Sequence, residues 1–251
     1  PQQNPPACDR DEVDCGLTLM DLFGNAANLP YQVVHGGLDE LVPYTGAEEW
    51  MNRFSEYGSQ FEFIAYPHRR HETTFPGTTV GHILRWLDGL PARASTPEKV
   101  DYTLVRDMFQ PEYGLSYDGA YWIDDLLLAD GAGDGRIIAD RGGRIVQVES
   151  FTGVDNLGPY HLRRRTPSGD APTDTMALTL EGIQAGTIDA AAIGWDGERR
   201  HTIVATSDGP STIRLDGDFR NSTPILGAQF SRNAGDVILH LPAGSSLVTI
   251  G

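Results

Sequence analysis

The chain has 251 residues, 39% of them apolar and 22% charged, with a formal net charge of −16 at pH 7. There is enough apolar material for one large core or two small ones. The acidic balance repels phosphate backbones and anionic lipid, which argues against nucleic acid or a membrane surface as partner, and no apolar run approaches the ~18 residues of a membrane span.

The chain opens on Pro1-Gln-Gln-Asn-Pro-Pro6, a linker composition, which suggests a piece cut from a longer precursor. Cys8 and Cys15 are the two cysteines. Their closeness predicts a local disulfide in an exported, secreted or otherwise extracytoplasmic protein; the spacing does not suit zinc. Residues 17–28 read as a short helix and 31–35 as an apolar strand. Residues 46–57 read as a helix, with Thr45 and Glu48 as a capping box and Gly58 as its stop. Residues 60–66 read as a strand with Phe61, Phe63 and Ala65 on one side. Residues 78–88 form a second predicted helix, striped by Val80, Ile83, Leu84 and Leu87 at i, i+3, i+4, i+7. The strand–helix–strand–helix alternation predicts an α/β unit over 1–90, with a parallel sheet covered by helices.

Residues 91–98, around Pro91-Ala-Arg-Ala-Ser-Thr-Pro97, read as a linker. Beyond it there is no helical period. Short apolar stretches recur between Gly, Asp, Pro and Asn clusters, and Asp130–Gly135 and Arg141-Gly-Gly143 look like hairpin turns. About ten such strands predict an all-β sandwich over 99–251. Arg163-Arg-Arg165 reads as a solvated strand end, and Tyr121, Trp122 and Trp195 as core aromatics more than a sugar platform.

Chemistry concentrates at two strand ends. Gln32-Val-Val-His-Gly-Gly-Leu-Asp39 ends a strand in a Gly-Gly turn that presents a carboxylate. Tyr66-Pro-His-Arg-Arg-His71 ends the next strand in a loop that presents an imidazole, 32 residues after the acid. A carboxylate beside a histidine is two thirds of a nucleophile–base–acid triad: the histidine takes the proton of a hydroxyl nucleophile, and the acid holds its tautomer and steadies the imidazolium. His68 is a rival base. His35, at the first strand's end, reads as a packed structural residue. Arg69 and Arg70 are candidates for gripping a substrate carboxylate, against the simpler reading of a solvated loop pair.

Gly36-x-x-Asp39-x-x-Val-Pro43 and Tyr66-Pro-x-x-x-His71, in this order and with one helix between, resemble the acid loop and the histidine loop of the prolyl-oligopeptidase-like branch of α/β-hydrolases, over roughly residues 17–90. The resemblance implies a serine hydrolase acting on a peptide or ester bond through an acyl-enzyme, with Asp39 and His71 as acid and base and no cofactor or metal. In that family the nucleophile precedes both, but no Ser precedes Asp39 and no Gly-x-Ser-x-Gly occurs. The implied fold is therefore a partial α/β-hydrolase sheet without its nucleophile segment, followed by the sandwich. The implied partner is the N-terminal portion of the same hydrolase, as a separate chain or a segment absent here. The alternative is a non-catalytic binding or assembly module with a remnant hydrolase half.

Overall fold

The structure, a computed structural model, describes residues 19–71, 78–90, 94–108, 111–142, 144–155, 157–170, 173–220 and 229–251. A 3-10 helix (Leu19–Ala26) leads into β1 (Tyr31–Gly36), α1 (Tyr44–Tyr57), β2 (Phe61–Tyr66) and α2 (Thr78–Asp88). Strands follow: β3 (Lys99–Val105), β4 (Ile123–Leu128), β5 (Asp134–Asp140), β6 (Arg144–Asp155), β7 (Gly158–Asp170), β8 (Thr175–Glu181), β9 (Ile183–Asp189), β10 (His201–Ser207), β11 (Ser211–Asp216), β12 (Gln229–Asn233), β13 (Asp236–Leu241) and β14 (Gly244–Ile250).

The expected α/β-hydrolase sheet followed by a sandwich is not what forms. The protein is 50% strand and 16% helix, and its three sheets all mix parallel and antiparallel pairs. β1 and β2 do pair in parallel, from Tyr31 opposite Phe61 to Gly36 opposite Tyr66. The other edge of β2, however, is taken by antiparallel β7, with Phe61 opposite Arg165 and Ala65 opposite His161. The sheet order is β1-β2-β7-β6. Local periodicity distinguishes helix from strand but carries no information about which distant strand completes an edge. Here the long β6–β7 hairpin leaves the second segment and completes the sheet of the first.

What draws β7 onto β2 is partly ionic. Glu62, 1% exposed in mid-strand, is gripped by Arg164 Nε and Nη2 at 2.9 and 2.5 Å and accepts from Gln32 Nε2 at 2.8 Å. The Arg163-Arg-Arg165 run is thus the middle of a strand. Its charge density and flanking prolines disguise it, because an arginine that pairs across a ladder looks in sequence like one that faces water.

On the opposite face of β2, Phe61, Phe63 and Ala65 pack under Met51 and Phe54 of α1 and Phe23 of the 3-10 helix. Tyr31 and Phe23 stack on Phe54, with ring centroids 4.0 and 4.8 Å away. α1 starts two residues earlier than the capping box predicts. Thr45 lies inside the helix, Pro43 occupies the cap position and no side chain caps it, whereas Gly58 stops the helix as expected, in the left-handed conformation at φ 87°. α2 forms where its stripe predicts, but the stripe is not buried: Val80, Leu84 and Leu87 are 53%, 55% and 49% exposed. No helix among the described residues is long and apolar enough to cross a membrane.

The remaining strands make two five-stranded sheets, β14-β10-β8-β5-β3 and β12-β13-β11-β9-β4, around one core that includes Trp122, Ile137, Leu180, Ile213 and Leu239. The expected hairpin turns fail for one reason. β4 and β5 lie in different sheets, as do β5 and β6, so neither connection closes a hairpin. The 3-10 helix covers the free edge of β3: Asn25 donates to the Thr103 carbonyl (2.9 Å) and accepts from its N–H (2.6 Å), as a neighbouring strand would, and Asn28 donates to the Lys99 carbonyl at 2.8 Å.

Candidate functional site

Parallel pairing brings the carboxyl ends of β1 and β2 to the same edge, and the loops that follow are stitched together. Gly37 N donates to Tyr66 O and Leu38 N to Arg69 O, both at 2.8 Å. Two glycines allow this approach. A Cβ on Gly36 would fall 2.6 Å from the Arg69 and Arg70 carbonyls, and one on Gly37 would fall 2.8 Å from the Pro67 backbone. The Gly-Gly pair is therefore a contact surface as well as a turn.

The stitched loops bring Asp39 and His71 together. His71 Nδ1 lies 2.9 Å from Asp39 Oδ2 and 3.1 Å from Oδ1. The N–H groups of Leu41 and Val42 donate to Oδ1 at 2.9 and 2.8 Å. The Asp39 side chain is only 7% exposed. Burial pushes its carboxyl up, but the Val42 N–H, the His71 imidazole and the Leu41 N–H outweigh that and hold it at about 2. An ionised carboxylate only accepts hydrogen bonds, so in the neutral imidazole Nδ1 carries the proton and Nε2 keeps its lone pair. Nε2 has no hydrogen-bond partner among the described residues. This is the orientation a general base needs.

The other candidates sort by position. His35 is buried. Its Nδ1 donates to the Gly36 carbonyl at 2.8 Å, and its Nε2, 3.9 Å from Asp39 Oδ2, has no hydrogen-bond partner among the described residues. His68 is exposed. Arg70 is exposed and helps line a cavity of about 170 Å³ that also includes Val34, Val42, Asp39 and His71. Arg69 turns the other way: its Nε donates to the Leu157 carbonyl at 2.7 Å, in the β6–β7 turn. Cys8 and Cys15 lie outside the described residues.

The β6–β7 turn is a support that sequence reasoning missed. Tyr66 OH donates to Asp155 Oδ2 at 2.6 Å, and Leu157 N donates to Asp155 Oδ1 at 2.8 Å. Burial first, and then the Asp155 carboxylate, raise the Tyr66 phenol above its ordinary value. The histidine loop is thus braced from behind by a turn 84 residues further along the chain, as measured from His71 to Asp155. No local signal marks it.

Among the described residues that line the cavity beside His71 there is no serine, threonine or cysteine. Among the described residues no group of three or more His, Cys, Asp or Glu is arranged to hold a metal ion. The site offers an oriented imidazole and a buried, ionised acid. Comparison with protein-family models, with curated proteins and with solved structures gives no match for this chain.

Proposed function

We propose that this chain supplies the acid and the base of a serine hydrolase that cleaves a peptide or ester bond through an acyl-enzyme. The observation that carries the reading is the Asp39–His71 contact, in which both carboxylate oxygens face Nδ1 and leave Nε2 turned away from the acid. His71 Nε2 takes the proton of the serine hydroxyl as it attacks the scissile carbonyl, then returns it to the leaving group, while Asp39 steadies the imidazolium. Water repeats the cycle on the acyl-enzyme.

The serine comes from outside these 251 residues, in a part that docks along β1. Support for that location is physical. β1 is the end strand of its sheet, so its outer edge has no strand partner among the described residues. Exposed Leu38, Leu41 and Val42 lie just past its end. Parallel strands are ordinarily flanked on both sides.

The test is reconstitution: the chain is produced with the sequence encoded upstream of it and assayed on an activated ester and on peptidyl anilides. Turnover, with covalent capture of a serine by a fluorophosphonate, is expected to appear only with both parts and to vanish in H71A. Turnover unaffected by H71A in a folded complex would overturn the reading. The exposed α2 stripe favours a second reading, an assembly module that binds a partner without chemistry. It expects complex formation without turnover.

A further inference from the structure

Three consecutive arginines on β7 differ in one respect. Arg164 grips Glu62 through Nε and Nη2, and Arg165 donates to the Ser59 carbonyl at 2.9 Å. Elsewhere, Arg136 holds the two oxygens of Asp101 through Nε and Nη2 at 2.8 Å each, and Arg220 holds Asp218 at the same distances. In Arg163 those same two nitrogens are buried and have no hydrogen-bond partner among the described residues, where Nη1 alone reaches a partner, Asn52 Oδ1, at 3.4 Å. The guanidinium is held over the rings of Phe61 and Phe63, at 5.5 and 5.9 Å from their centroids.

Arg163 lines a cavity of about 260 Å³ between the start of α1 and the β2–β7–β6 face of the sheet. Ser150 and Thr152 supply hydroxyls there, and Phe63 and Ala65 supply apolar wall. Leaving guanidinium N–H groups buried and unpaired is unfavourable, and a planar two-oxygen anion satisfies the Nε/Nη2 edge in the geometry that Asp101 and Asp218 already use in this protein. Glu48 also lines the cavity and takes a hydrogen bond from Tyr44. Its negative charge tolerates one carboxylate better than a dianion such as phosphate.

We propose that this cavity binds a small monocarboxylate with an apolar body, its carboxylate accepting from Arg163 Nε and Nη2. Both nitrogens are buried, so the ligand reaches them through a turn of the terminal torsions of Arg163 toward the cavity. The site is distinct from the Asp39–His71 pair and does not depend on catalysis. Tyr44 connects the two: its ring stacks on Phe63 and meets the edge of His35, each with centroids 5.9 Å apart, and His35 abuts Asp39.

The test is calorimetric and NMR titration of the full chain with 3-phenylpropionate, using 3-phenylpropionamide and inorganic phosphate as comparisons. One-site, saturable binding of the acid is expected, with the amide and phosphate at least about tenfold weaker. R163K retains charge and stem but not the planar fork, and is expected to lose about tenfold or more; E48Q is expected to bind more tightly. Circular dichroism and thermal unfolding establish that each variant is folded. R163Q provides a second test if R163K fails to fold. The proposal is overturned by any of four results: no saturable binding of the acid to the folded chain at about 10 mM, an amide that binds as well as the acid, phosphate that binds in preference to it, or folded arginine variants that bind as tightly as the original.

Discussion

Gly36 lies against the backbone of Arg69 with no room for a side chain: a Cβ would fall 2.6 Å from the Arg69 carbonyl oxygen. The Gly36→Ala variant is therefore expected to push the histidine loop away from the acid loop. A loss of about 1–3 kcal/mol is expected, read from denaturant unfolding, because the obstructing atoms are backbone and cannot step aside. Gly46, in the first turn of α1, is the comparison. Nothing lies within 4 Å of its Cβ position, so Gly46→Ala is expected to stabilise by about 0.5–1 kcal/mol. Equal effects at both positions would show that the loops are not in contact.

The buried pair behind the sheet gives an asymmetric expectation. Arg164→Ala takes the Nε and Nη2 donors away from the carboxylate of Glu62, which is 1% exposed, and about 3 kcal/mol of stability is expected to be lost. Glu62→Met removes that charge along with the grip on it, and is expected to cost less, because the half-exposed Arg164 returns to water. Chemical denaturation of the two variants and the double variant measures both the order and the coupling. A larger loss in Glu62→Met would mean that the arginine is the costlier group to strand.

These two cases mark how far the sequence could be read. β1, α1, β2 and α2, and the meeting of Asp39 with His71, were legible because each rests on short-range pattern: a period, a glycine stop, and two parallel strands whose ends must share an edge. The architecture was not legible, because it depends on what occupies the other edge of β2. That occupant, β7, has Arg163-Arg-Arg165 at its centre, and its match to Glu62 is a property of two distant segments. The Asp155–Tyr66 brace and the Arg69–Leu157 contact were hidden for the same reason. The exposed stripe of α2 is the converse: an amphipathic period shows that a helix has an apolar face, without naming what covers it.

Acid sensitivity is expected to have one source in the larger body of strands. His201 is fully buried and stacked on Trp195 with centroids 4.6 Å apart; Nε2 donates to the Asp196 carbonyl at 2.9 Å. Burial lowers its pKa below the ordinary histidine value. The native state therefore resists a proton that the unfolded chain accepts below about pH 6.5. The stability contributed by this group is complete above that pH and is lost as pH falls through the lower, folded value. His201→Gln is expected to flatten the fall in thermal midpoint in that window relative to the original chain. Identical pH profiles for the two proteins would remove His201 as the source.

The Asp39–His71 pair makes the last and most exposed set of expectations. Asp39 is held at about 2 by the Val42 and Leu41 N–H groups and by His71, so its contribution to stability is present above the ordinary carboxylate pKa of about 3.9 and is lost as pH falls through about 2. Asp39→Asn is expected to remove that part of the acid transition. In the chain alone, nitrogen-edited NMR is expected to show the His71 proton on Nδ1, and Asp39→Asn is expected to abolish that preference, since an amide no longer demands a donor. In the reconstituted enzyme His71→Ala is expected to lower kcat by about 10³ or more, because the serine loses its base. Asp39→Asn is expected to cost somewhat less, because a base survives in the wrong tautomer. His68→Ala, on an exposed residue that makes no bond to the acid, is expected to leave turnover near its original value. The two kinds of measurement separate the claims. An Nδ1-protonated His71 in an enzyme indifferent to His71→Ala would leave the geometry standing and end the catalytic reading. A His71 proton on Nε2 would remove the geometry itself, and with it the reason to look for a serine.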